Sequence, residues 1–276
     1  MESGETEACM ISFVVPAHNE QLLIARTLRS IHDAASAASV PYEIVVVDDA
    51  STDQTAQIAR GQGAKVVRSE RRQIAAARNA GACEALRNEN CDVLVFLDAD
   101  TTLPAGTLRA ALDSLECGAV GGGAAVAFDG KVPRWAEIML AVLLFVFRLL
   151  RWSGGCFIYC RRSAFEATGG WNEGVYAGEE MYMCQALKHI GRFVILREQV
   201  ITSGRKVRAH SAREILTTLA RLGLRGPSSV RNRKDLGLWY KRRADSDGHP
   251  GSSRVEKQPI SHFSIATVPN TSYDSS

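Results

Sequence analysis

The chain lacks a paired Cys-x-x-Cys spacing, a run of apolar residues long enough to cross a bilayer, and any strong excess of one charge. Each absence removes a class. Seven cysteines (Cys9, Cys83, Cys91, Cys117, Cys156, Cys160 and Cys184) are odd in number and fall mostly inside apolar runs, which predicts reduced, buried thiols rather than a disulfide framework. Met1 to Ala8 is acidic and polar where a leader would be basic and then apolar, so export by that route is not expected and the predicted location is cytoplasmic. With 46% hydrophobic residues and a formal charge of +3, the 276-residue chain can bury a full core, which excludes disorder of the whole.

The strongest apolar stretch, Ile138 to Phe147 continuing to Leu150, is bracketed by Trp135 and Trp152. A bilayer core requires about 20 apolar residues. The segment is therefore either a helix packed against a sheet or a helix lying in a membrane interface, for which its aromatic and arginine flanks are suited. The second alternative would place the protein peripherally on the inner face of a membrane.

What is present in the first half is alternation. Short β-branched runs at Met10–Val15, Tyr42–Val47, Ala64–Arg68 and Asp92–Leu97 read as strands. Between them, Ile24, Leu28 and Ile31 recur at helical spacing, and the alanine-rich stretch Ile74–Leu86 reads as a helix. Ile44–Val47 and Val93–Leu97 are apolar without alternation, as in parallel strands covered on both faces. The expected fold is α/β, a mainly parallel Rossmann-like sheet flanked by helices. An α+β half follows, with a helix at Pro104–Glu116, a glycine-rich strand at Ala119–Phe128, a strand at Cys156–Cys160, a helix at Glu179–Ile190 and a last strand near Phe193–Leu196.

The predicted organisation is a flexible 1–8, one domain over 9–243 divided at residue 101 into nucleotide-binding and acceptor halves, and a disordered serine-rich tail over 244–276. From Arg205 to Arg243 there are twelve lysines and arginines against Glu214 and Asp235. No nucleic-acid motif accompanies that charge, so nucleic acid is not an expected partner.

Each strong strand of the first half ends in polar residues: Pro16, His18, Asn19 and Glu20; then Asp48 and Asp49; then Asp98 and Asp100. One acidic strand end is compatible with a helix cap. Three at one rim repel each other unless a cation or ligand donors offset the charge. Asp98-Ala99-Asp100 sets two carboxylates where a strand turns, a pattern that suits Mg²⁺ or Mn²⁺ gripping a nucleotide diphosphate. Thr202 to Lys206, with glycine between Ser203 and the pair Arg205 and Lys206, is either a phosphate-binding loop or a solvated basic one. His18, His189 and His210 are isolated, and His210 is the best placed of the three if a third metal ligand exists.

The ordered motifs Val14–Glu20 (VVPAHNE), Val45–Thr55 (VVVDDASTDQT), Ala77–Gly81 (ARNAG), Phe96–Thr101 (FLDADT), Gly169–Asn172 (GGWN) and Gly178–Glu180 (GEE) resemble family 2 glycosyltransferases. The resemblance covers about Cys9 to Leu196, and more loosely the chain to Arg243. It implies a GT-A fold and inverting transfer from a UDP- or GDP-sugar to a hydroxyl acceptor. By the same resemblance Pro16, Glu20, Asp48, Asp49, Arg78 and Asp98 surround the nucleotide sugar, and Asp100 with Asp98 holds the metal; Arg205 and Lys206 join the donor set if their loop binds phosphate. After its glycine turn at Gly170, Trp171 either floors the acceptor pocket or packs in the core. The family's usual Glu-Asp pair is here Glu179-Glu180, which leaves the base open between the two glutamates. The basic and apolar features are compatible with a lipid acceptor. Two other readings are a non-catalytic membrane-surface scaffold on the same fold, and a sugar-phosphate nucleotidyltransferase. The latter would have a glycine-rich basic loop where Pro16–Glu20 stands.

Overall fold

The computed structural model describes residues 9–209 together with Arg213, Glu214 and Thr217. The basic stretch beyond Ala209 apart from those three residues, His210, the 244–276 tail and residues 1–8 lie outside the described residues.

β1 (Met10–Ala17), β2 (Tyr42–Asp49), β3 (Lys65–Ser69) and β4 (Cys91–Leu97) pair in parallel in the order β3-β2-β1-β4. Their crossovers carry α1 (Ile24–Ala38), α2 (Thr55–Gly61) and α3 (Ile74–Ala85). The central strands are sealed on both faces, with Ile11, Phe13, Val14, Val15, Val45, Val46 and Val47 all at 0% exposure. Each such side chain contributes roughly 1.5–3 kcal/mol by leaving water. The apolar stripe of α1 (Ile24, Leu28, Ile31, Ala34, Ala35) covers one face of the sheet. The small residues of α3 let it lie close on the other; a Cβ at Gly81 would strike Val14 and Val47.

The second half extends the same sheet with mixed direction. β5 (Thr101–Thr102), α4 (Ala105–Glu116), β6 (Gly121–Phe128), α5 (Arg134–Leu150), β7 (Phe157–Arg161), α6 (Arg162–Thr168), α7 (Glu179–Ile190), β8 (Phe193–Thr202) and α8 (Arg205–Ala209) follow in sequence. The order continues β4-β7-β6-β8-β5, with β7 antiparallel to β4 and β6, β6 parallel to β8, and β5 antiparallel to β8. β8 runs past its expected end at Leu196 because the pairing resumes after a register shift between Gly123 and Ala125, across which Arg197, Glu198 and Gln199 stay exposed.

The apolar helix departs from one of its two expected readings. Within α5 only Ala136 is buried, while Ile138, Val142, Phe145 and Leu149 are 66%, 59%, 70% and 73% exposed. Their spacing of four, three and four puts them on one face. The first turn is packed, where Ala136 meets Val207 of α8 among Phe128, Val132, Trp135 and Met139, and farther along Leu144 touches the main core. The sheet-packed reading holds for that inner edge and fails for the exposed face. Among the described residues no helix is long and apolar enough to cross a membrane.

All seven cysteines are free thiols, but Cys83 and Cys117 are exposed, so burial holds for Cys91, Cys160 and Cys184 and only partly for Cys9 and Cys156.

Candidate active site

The parallel register levels the strand ends, with Ala17 beside Asp48 and Asp49 beside Ser69. Pro16 lies past the last β1–β4 pair, Val14 with Phe96, where a missing N–H breaks no bond on that side. The loops after β1 and β2 are laced together. Asn19 N–H donates to the Ser51 hydroxyl at 2.9 Å, Thr52 N–H to Asn19 Oδ1 at 2.7 Å and Glu20 N–H to the Thr55 hydroxyl at 2.7 Å. Asp48 Oδ1 accepts Ser51 N–H at 3.1 Å and so holds its own turn. Asp49 is 5% exposed and clamps the segment entering α3. Its Oδ1 accepts the Ser69 hydroxyl at 2.8 Å and Arg72 N–H at 2.9 Å, and its Oδ2 accepts Gln73 N–H at 2.9 Å.

Arg78 is the hub. It is 1% exposed, enclosed between the end of β4 and α7. Nη1 donates to Glu179 Oε1 at 2.9 Å, while Nη2 donates to Asp98 Oδ1 at 2.9 Å and to the Gly155 carbonyl at 2.5 Å. The guanidinium sits over the Trp171 ring, 4.4 Å from its centre. Burial alone would pull the Arg78 pKa down; the carboxylates of Asp98 and Glu179 more than reverse that, and the group stays charged. Trp171, a candidate floor of the acceptor pocket, is only 3% exposed and edges onto Phe96 at 5.0 Å, so it supports Arg78 from behind. Gly170 has φ +93°, and a Cβ there would press on the Asn79 side chain.

Glu179 is buried against Arg78, whereas Glu180, next along α7, is half-buried. A Cβ placed at Gly155 would lie 3.5 Å from both Arg78 Nη2 and the Glu180 carboxyl carbon, so the second glutamate adjoins the hub. Burial, and then the Glu179 charge, push the Glu180 carboxyl up to about 7. That suits proton exchange near neutrality.

A second arginine closes the other side of the rim. Arg205 Nη2 donates to both Glu20 oxygens at 2.9 Å and to Asp100 Oδ2 at 3.1 Å. The basic loop is thus not simply solvated at Arg205. Of Lys206 the structure describes the backbone, within α8. Asp100 is set by its surroundings: Ser203 N–H donates to its carbonyl at 3.1 Å, and the α1 residue Thr27 donates to the Ala99 carbonyl at 2.9 Å.

Three positioning residues carried no assignment from the sequence. Asn79 binds both the N–H and the carbonyl of Trp171, at 2.8 and 3.0 Å. Gln73 donates to the carbonyls of Glu173 and Val175, at 2.7 and 3.0 Å. Gly155 supplies the carbonyl beneath Arg78. Asn79 alone had a visible signal, its place inside the ARNAG motif.

Asp98 and Asp100 offer hard oxygen donors with side chains 28% and 21% exposed. Among the described residues no three His, Cys, Asp or Glu side chains gather to hold a metal by themselves. The donor set fits a Mg²⁺-type ion held by one or two carboxylates and completed by substrate phosphates. Neither His18 nor His189 joins it, since His18 pairs with the Asp49 carbonyl at 2.8 Å and His189 with the Gln185 carbonyl at 2.7 Å.

Comparison with known proteins bears on the family and the fold. Over 103 residues the chain is 37% identical to a 4,4'-diaponeurosporenoate glycosyltransferase of Staphylococcus haemolyticus, a match covering 36% of this chain and 26% of that protein. It is also 37% identical over 98 residues to an undecaprenyl-phosphate 4-deoxy-4-formamido-L-arabinose transferase of Pseudomonas fluorescens, covering 34% of this chain and 28% of that one. The chain thus matches little more than a quarter of these relatives' lengths. The structure resembles the crystal structure of S. aureus TarS 1–349 in complex with UDP-GlcNAc, with TM-score 0.54, 19% identity and coverage of 71% of this chain and 59% of that one, which establishes a GT-A-type fold. The model of glycosyl transferase family 2 matches residues 12–169, more than half the chain, and the protein belongs to that family.

Proposed function

We propose that the chain is an inverting, metal-dependent glycosyltransferase that moves a sugar from a nucleoside diphosphate, UDP or GDP, to a hydroxyl acceptor, with Glu180 as the base. The observation that carries this reading is the Arg78 bridge between Asp98, at the donor rim, and Glu179, beside Glu180. Sugar transfer expels a diphosphate and requires a proton acceptor for the attacking hydroxyl. One buried guanidinium sets both functions in one frame.

The two glutamates separate by their partners. Glu179 is committed to Arg78, and a carboxylate already neutralised by a guanidinium is a weak base. Glu180, with its raised pKa, takes the proton at its carboxyl and leaves the acceptor oxygen free to attack. Asp100 and Asp98 would hold the divalent cation, with Mg²⁺ and Mn²⁺ both suited to carboxylate oxygens. Such an ion, when bound, supplies charge stabilisation to the departing diphosphate. Pro16, Glu20, Asp48 and Asp49 form the polar wall on which the nucleotide would rest. Support for a nucleotide donor comes from TarS, whose structures are of complexes with UDP-GlcNAc and UDP.

The acceptor is a lipid or lipid-linked glycan, reached at the cytoplasmic side of a membrane. The exposed face of α5 supports peripheral contact, with the exposed Arg134 and Arg148 at its two ends to meet anionic headgroups. The relatives named for diaponeurosporenoate and undecaprenyl phosphate point the same way.

The test is a pair of variants. Asp100→Ala is expected to abolish Mn²⁺-dependent donor binding measured by calorimetry, whereas Glu180→Gln retains donor binding and loses transfer by about 10²–10⁴-fold. Unchanged transfer in both would remove the assignment.

A further inference from the structure

Arg205 Nη2 is surrounded by three carboxylate oxygens, two of Glu20 at 2.9 Å and one of Asp100 at 3.1 Å. Hard oxygens and concentrated negative charge are also what a divalent cation requires. The guanidinium therefore sits where such an ion would compete for Asp100. Asp98 is engaged from the other side by the buried Arg78, so Asp100 is the carboxylate whose partner can exchange. The side chains of Arg205, Glu20 and Asp100 are 24%, 17% and 21% exposed, within reach of an arriving ligand.

The backbone around Arg205 is pinned independently of its side chain. Ser203 N–H donates to the Asp100 carbonyl, Gly204 N–H donates to Asp129 Oδ1 at 2.9 Å, and Arg208 Nη1 donates to the Asp129 carbonyl at 2.9 Å. Asp129 also receives Arg26 at 3.0 Å. A change of partner at Arg205 thus requires rotation of one side chain and leaves the strap in place.

We propose that Arg205 is the resident cation of the donor site: without donor it neutralises Glu20 and Asp100, and it yields Asp100 to a divalent cation as its guanidinium passes to the incoming diphosphate. The inference rests on the reading of Asp100 as metal ligand. The charge balance sets the order of events. A divalent cation arriving alone must take Asp100 from a guanidinium that is left with Glu20 and gains no anion in exchange. A diphosphate arriving alone faces the carboxylates of Asp98, Asp100 and Glu20, among which Arg78 and Arg205 are already engaged. Arriving together, each supplies what the other lacks, because the diphosphate receives Arg205 and the metal takes over Asp100. Metal and nucleotide binding are therefore coupled, and by linkage each strengthens the other equally.

The test reads Mn²⁺ binding to the full-length chain through the electron paramagnetic resonance signal of free Mn²⁺, with and without UDP. For the unaltered protein, UDP is expected to raise Mn²⁺ affinity about tenfold or more. Arg205→Gln should bind Mn²⁺ alone about tenfold more tightly than the unaltered protein, and UDP should add little. Arg205→Lys, which retains the charge, should stay close to the unaltered protein; a lysine variant as permissive as the glutamine one overturns the charge competition. Equal Mn²⁺ affinity of Arg205→Gln and the unaltered protein in the absence of UDP also overturns it. Asp100→Asn separates the two readings. Mn²⁺ binding that survives Asp100→Asn in the presence of UDP removes the metal assignment and the inference built on it. Binding lost in Asp100→Asn but unaffected in Arg205→Gln removes the inference alone.

Discussion

Arg78 and Arg205 each join two carboxylates that lie far apart in the chain, at opposite sides of one rim, and they differ in depth. Arg78 is sealed at 1% exposure, sits on an aromatic ring and makes three hydrogen bonds. Arg205 keeps a quarter of its side chain in solvent and holds its partners through one nitrogen. Removing one partner of a buried pair strands a charge in a medium that cannot solvate it, whereas water can replace a partner near the surface. The same ion pairing is thereby permanent in one place and exchangeable in the other.

The contrast can be broken most decisively by Arg78→Ala, which strands Asp98 and Glu179 and is expected to cost about 3–5 kcal/mol in urea-induced unfolding. Arg205→Ala is expected to change the same measurement by about 1 kcal/mol or less. Equal losses would erase the distinction of depth.

A sharper probe is pH. Glu180 must be deprotonated to accept a proton, and its carboxyl is pushed up to about 7, so transfer should rise with pH through that value and level off above it. A profile flat from pH 5 to 8, a window set by the general rule for a base poised near neutrality, would move the base elsewhere.

The smallest effect on stability is expected on the exposed face of α5. Leu149→Glu on the exposed face should alter unfolding by less than about 0.5 kcal/mol. Co-sedimentation with anionic vesicles should nonetheless fall, and undiminished binding would exclude this face as the contact.

Strands β1, β2 and β4 and their acidic ends were legible because a doubly covered parallel strand must be continuously apolar and must stop where the chain turns polar. The short β3 came through as well, since Val66 and Val67 are β-branched between polar neighbours. Legibility ended where a residue's partner lies elsewhere in the sequence. Nothing local to Arg78 announces Glu179, 101 positions away, and nothing near Glu20 announces Arg205, 185 positions away. The apolar run of α5 had two readings because hydropathy records what a helix could bury, not what it meets. Trp171 had two readings after its glycine turn, and its burial, with Asn79 holding both its backbone polar groups, selects the inward one.

The separation between Arg78 and Glu179 also orders events during synthesis. A ribosome adding about 5–20 residues per second completes the amino-terminal strands before the glutamate exists, so Arg78 waits roughly 5–20 s for the partner that lets it be buried. Over that interval the nascent sheet carries an open flank beside β4, where β7 has yet to pair. Truncated chains released before α7 should therefore be the forms that chaperones and proteases recognise, and a complete fold and a complete catalytic rim should emerge at nearly the same moment of translation.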